Sequence, residues 1–118
     1  MCIRDRLPPG VRAGVGPAGP LQDLPTSWDA ARLALRLTAE GTDADPGPRV
    51  VHADQLGALA LLVRTADAAT GPVPDVRALD RAAATAPWVL ATLHAVAEAS
   101  SLRDAARSLG LHLSLIHI

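Results

Sequence analysis

The stretch "SSLRDAARSLGLH", Ser100 to His112, decides how this chain is read. Ser101 is placed to cap a helix, its hydroxyl accepting from a free backbone N–H of the first turn, and Asp104 completes an S-x-x-D capping box. Leu102, Ala105, Ala106 and Leu109 stand at i, i+3, i+4 and i+7, the spacing of a buried helical stripe. Gly110 stops the helix, because glycine reaches positive φ without a steric penalty. A short helix with a small residue at Ala106, where a second helix can cross closely, and then a glycine turn, form the first half of a helix-turn-helix. In that motif the second helix enters the major groove and the residues near its start touch base edges; here it should begin just after His112.

The residues beyond His112 are of a different character. Leu113 to Ile118 can be encoded CTG TCT CTT ATA CAC ATC, whose reverse complement is GATGTGTATAAGAGACAG, and Met1 to Asp5 can be encoded ATG TGT ATA AGA GAC, which lies inside that same string. The two ends read as one DNA sequence on opposite strands, and that string resembles the transposase-end adapter used to prepare sequencing libraries. Arg6 is completed by one genuine base after the adapter's final AG. Composition agrees: Ile3, Ile116 and Ile118 are the only isoleucines, Met1 and Cys2 are single, and Leu7 to His112 holds no Ile, Cys, Met, Lys, Phe, Tyr or Asn. Met1–Arg6 and Leu113–Ile118 are therefore expected to be non-native, and Leu7–His112 is the text read for fold.

The 118 residues fit one domain of ordinary size, or the joined pieces of two. Net charge is −1, and setting aside Arg4, Asp5 and Arg6 leaves −2, so no global basic field draws the chain to nucleic acid. Every basic residue in Leu7–His112 is arginine, as a high-GC genome would write it. With Cys2 outside the natural segment, neither a disulfide framework nor a thiolate metal site is expected. The apolar runs Leu113–Ile118 and Leu56–Val63 fall short of the ~20 residues that a membrane-spanning helix needs.

Outward from the deciding stretch, Pro87 to about Ala99 reads as a helix with Pro87 at its first position, and Asp75 to about Thr85 as another, capped by Asp75 with Val76, Leu79 and Ala83 buried. "TGPVP" (residues 70–74) is a linker and marks a module boundary. Before it, "DQLGALALLVRTADAA" starts with Asp54 as cap and carries a stripe of Leu56, Leu59, Ala60 and Val63. "RVVHA" is β-compatible. "TSWDAARLALRLTAEG" reads as a helix capped by Thr26 or Ser27 and ended by Gly41, with Trp28, Ala31, Leu35 and Thr38 on one face, Ala34 beside them, and Arg32 and Arg36 elsewhere. Leu7–Pro20 is rich in Pro and Gly, without apolar period, and reads as loop or as the last edge of a domain. Trp28 and Trp88 are expected to anchor the core.

On these residues the chain resembles the C-terminal portion of PucR-type (CdaR-like) transcriptional regulators. The matching positions are Leu56, Gly57, Leu61 and Leu62; then Leu90, Thr92 and Leu93; then Ala105, Ala106, Leu109 and His112. Upstream, "GVGPAGPLQDLPTSWDAARLALRL" is similar to the tail of the GGDEF-like effector domain that such proteins often carry. The resemblance implies a mainly α fold: the α+β tail of an effector domain over residues 7–52, a connecting helix over 53–70 and a truncated helix-turn-helix bundle over 71–112. It implies a cytoplasmic DNA-binding regulator, homodimeric, responding to an unknown small-molecule effector, with no cofactor, no membrane and no enzymatic activity. The family's base-reading residues, after a His-Asn/Ser-Thr-Leu opening, are replaced here by Leu113–Ile118.

The candidate DNA-binding residues are Ser101, Arg103, Arg107, Gly110 and His112. Arg103 and Arg107, one turn apart, fit phosphate contacts or simply a solvated face beside Asp104. His112 fits a phosphate hydrogen bond or an ordinary turn. His52 and His94 lack spaced metal-ligating partners. "GVGPAG" has the outline of a phosphate loop, but Pro17 and Pro20 interrupt what should become a helix N-terminus. The rival reading is a helical dimerisation or effector-binding module without DNA binding, for which Leu56, Leu59 and Val63 would serve as the contact stripe.

Overall fold

A strand too short to show a period opens the fold. The computed structural model describes residues 7–66 and 71–111, so the two adapter-like ends and His112 lie outside the described residues. β1 (Ala13–Val15) pairs in parallel with β2 (Val50–His52), in the register Ala13–Val50, Gly14–Val51 and Val15–His52. Between them runs α1 (Leu24–Leu35), and β2 leads on to α2 (Ala58–Thr65). The helices α3 (Pro74–Thr85), α4 (Val89–Glu98) and α5 (Leu102–Ser108) complete a mainly helical chain. By contact density the chain divides into two units, one holding β1, α1, β2 and α2 and the other holding α3, α4 and α5.

In the first unit the β1–α1–β2 order reflects parallel pairing, which needs a crossover connection, here a helix. α1 lies against β1 so closely that a Cβ on Gly14 would overlap the Ala31 carbonyl and the Leu35 amide, and one on Gly16 would overlap Ser27. Glycine is thus required by close approach of backbone to backbone. The core is small: Leu33, Ala34 and Ala39 are its buried members. The Ala39 N–H donates to the Pro48 carbonyl at 2.8 Å, and the Ala13 N–H to the Arg49 carbonyl at 2.8 Å, closing the loop around β2.

Several expectations for this unit are corrected. α1 begins a turn earlier than Thr26 or Ser27, with Asp23 at its N-cap and Pro25 in its first turn, where a missing N–H costs nothing. The Ser27 hydroxyl instead donates to the Pro17 carbonyl at 2.7 Å. The helix ends at Leu35 rather than near Gly41, and Trp28 is 67% exposed while Ala34 is fully buried. The backbone of Ser27, Ala31 and Leu35 meets Gly14 on β1 and Gly16 just after it, and Trp28 is left outside that contact. Asp54 does not cap α2; it sits in a 3-10 turn, Ala53–Gln55, and Gly57 at φ 53° breaks the chain before Ala58. Leu56, Ala60 and Val63 are half-buried while Leu59 is exposed.

In the second unit α3 packs on α4 and α4 on α5. Pro74 holds the first position of α3 with Val73 as N-cap, so Asp75 lies in the first turn and not at the cap. Val76 and Leu79, expected to be buried, are exposed, and Ala83 is half-buried. α4 starts at Val89, with Pro87 in the turn before it and Trp88 as N-cap. Trp88 is 66% exposed and anchors no core. The buried pair here is Ala105 and Ala106.

Candidate nucleic-acid interface

The local chemistry of α5 is assembled from residues within a few positions of one another. Ser101 takes extended backbone angles, and its hydroxyl accepts from the Asp104 N–H at 3.1 Å, satisfying one of the donors that a helix start leaves free. The return half of the box differs from expectation: the Asp104 carboxylate accepts from the hydroxyl of Ser100. Ser100 was not among the expected site residues, although its hydroxyl one position before the cap was the available signal.

That Ser100 hydrogen bond, then the one from Ser101, holds the Asp104 carboxyl below the usual carboxylate range, and the charges of Arg107 and Arg103 act in the same direction. Arg107 Nη1 stands 3.5 Å from Asp104 Oδ1 with three-quarters of its side chain exposed, so the pair adds little to stability. Arg103 is exposed one turn before it. Ser101, Arg103 and Arg107 are therefore brought together on one short helix, two guanidinium groups reaching solvent.

The helix ends as its sequence suggests. Gly110 has φ 68°, its N–H donates to the Arg107 carbonyl at 3.1 Å, and the Leu111 N–H reaches back to the Ala106 carbonyl at 2.8 Å. This pair of bonds is the Schellman arrangement, in which a left-handed residue turns the chain out of the helix. Leu109 is half-buried and Leu102 exposed, so the stripe is centred on Ala105 and Ala106, small enough for α4 to approach. His112 lies outside the described residues, and no geometry is assigned to it.

Among the described residues no cluster of three or more His, Cys, Asp or Glu could hold a metal ion, and no helix is long and apolar enough to cross a membrane. No family model, no curated protein and no solved structure matches this chain.

Proposed function

We propose that Leu7–His112 comes from a DNA-binding transcriptional regulator of PucR type, in which α4 and α5 form the scaffold of a helix-turn-helix whose base-reading helix would come after His112. The observation that carries this reading is α5 itself: a Ser101-capped helix, a buried Ala105–Ala106 contact with α4, and a left-handed Gly110 turn, in that order. The first unit, with its β1–α1–β2 order, is read as the tail of a GGDEF-like effector domain. The intact regulator would be a cytoplasmic homodimer, with Arg103 and Arg107 touching phosphates.

In this reading the 118-residue chain has no sequence-specific DNA binding of its own, because Leu113–Ile118 stands where base-edge contacts belong. Each bidentate base contact supplies ~1–3 kcal/mol of discrimination, so losing several removes most of a specific preference. The test is a titration of this chain beside the intact regulator, on the regulator's own promoter and on scrambled DNA at near-physiological salt. The intact protein should prefer the promoter and lose affinity steeply with salt, while the fragment shows no preference. A promoter preference by the fragment above about tenfold, ~1.4 kcal/mol, places the recognition surface elsewhere. Resequencing the locus with a different library chemistry tests the adapter reading, which fails if codons for Ile3 and Ile116 are joined to the natural segment.

A second reading, a dimerisation or effector-binding module without DNA binding, keeps only Leu59 of the expected stripe exposed, since Leu56 and Val63 are half-buried, and draws instead on the exposed Leu61 and Leu62 of α2. Because the regulator is itself read as a homodimer, DNA binding and not dimerisation separates the two: an intact parent protein that dimerises but shows no salt-dependent affinity for DNA favours the module.

A further inference from the structure

One face of α1 and the end of α2 border an open groove of about 420 Å³, lined by Asp29, Arg32, Leu33, Arg36 and Arg64. All five residues belong to the first unit. Three guanidinium groups and one carboxylate give this groove a local charge of +2 in a chain whose net charge is −1. The arrangement is held in place: Arg36 Nη1 donates to the Val63 carbonyl at 3.4 Å, which brings the next residue, Arg64, beside α1. The side chains of Arg32 and Arg64 make no hydrogen bond or ion pair with other described residues. Arg32 and Arg36 stand one turn apart on the same helix, a repulsive spacing that a bound anion would relieve.

We propose that this groove binds a small phosphorylated molecule, with Arg32, Arg36 and Arg64 on its phosphate and Asp29 on a hydroxyl at its other end. Planar guanidinium forks match phosphate oxygens in pairs, and an open groove leaves an anion accessible to all three of them. Asp29 selects the size of the occupant. It sits two turns from Arg36 but only one turn, about 4.5 Å along the helix, from Arg32, so it stands within reach of a hydroxyl on a ligand whose phosphate the arginines hold. A continuous polyphosphate backbone laid along α1 would run into it. Leu33, buried beneath the groove, leaves recognition to the charged side chains around it. The groove is built from residues of the first unit alone, so the proposal holds whether or not the second unit belongs to a DNA reader.

The test is calorimetric titration of the full 118-residue chain with inorganic pyrophosphate, inorganic phosphate and ribose 5-phosphate at low ionic strength. Saturable one-site binding is expected, weakened about tenfold or more, ~1.4 kcal/mol, in R32Q/R64Q and unchanged in R77Q/R81Q on α3. R64Q alone, at the exposed end of α2, should weaken binding by a smaller factor with the helical circular dichroism intact, which separates loss of the site from loss of the fold. D29N should tighten pyrophosphate and abolish the preference for ribose 5-phosphate over phosphate. No saturable binding, or equal losses in R32Q/R64Q and R77Q/R81Q, overturns the proposal. So does mixed-sequence duplex DNA binding that depends on Arg32 and Arg64 more strongly than pyrophosphate binding does.

Discussion

The two units of this chain are stabilised in different ways. In the first, residues far apart in sequence are pressed together until backbone lies on backbone: Gly14 and Gly16 of β1 and its end meet Ala31, Leu35 and Ser27 of α1 with no room for a side chain. In the second, helices pack on their neighbours in sequence and the buried contact is two alanine methyl groups, Ala105 and Ala106. Around that contact Val76, Leu79, Leu93, Val96, Leu102 and Leu111 stay exposed. With 39–47% of each of these residues left exposed, burial supplies only part of its ~25 cal/mol per Å² here, and satisfied helix ends matter correspondingly more. The first unit should therefore fail through steric overlap, and the second through loss of caps and turns.

The largest effect should come from Gly14→Val. Its Cβ would collide with the Ala31 carbonyl and the Leu35 amide, rigid groups that cannot rotate away, so a loss of ~3 kcal/mol, the upper end of overpacking costs, is expected in urea unfolding of the first unit. A change within error would mean that β1 does not lie on α1. Gly110→Ala is the matched change in the second unit, where a Cβ meets nothing within 4 Å, so the cost is conformational only: ~1 kcal/mol from forcing a left-handed residue. If Gly110→Ala cost as much as Gly14→Val, the contrast between the units would collapse.

Ser101→Ala removes the acceptor for the Asp104 N–H and should destabilise α5 by ~1 kcal/mol, read as loss of amide-exchange protection over Leu102–Ser108. Protection unchanged in that helix would place the cap elsewhere. The smallest effect is electrostatic. The Asp104 carboxyl is held below its usual range by Ser100 and Ser101, so its folded value lies under its unfolded one. Its contribution is then fully present above the unfolded carboxylate range, near pH ~4, and is lost as pH falls through the folded value. α5 protection should fall in acid, and Asp104→Asn should flatten that dependence. A profile identical in the two proteins contradicts the role given to the carboxylate.

For α5 the sequence by itself determined both ends, because a cap and a Schellman turn are made by residues no more than five positions apart: Ser101 with Asp104, Gly110 with Arg107, Leu111 with Ala106. The same locality made β2 legible as a β-branched run and α1 and α3 legible as helices, within a turn at their starts. Periodicity could not supply β1, whose three residues are too few to carry one and whose partner lies beyond the whole of α1; only the resemblance to an effector-domain tail implied a strand end there. Of the α1 face the stripe gave Ala31 and Leu35, which lie on Gly14, and Ala34 beside them, but not the exposure of Trp28, which only the packing of β1 on α1 decided. The grouping of Arg32 and Arg36 with Arg64 has the same origin, because a helix shows which residues share its face while only packing shows what stands opposite.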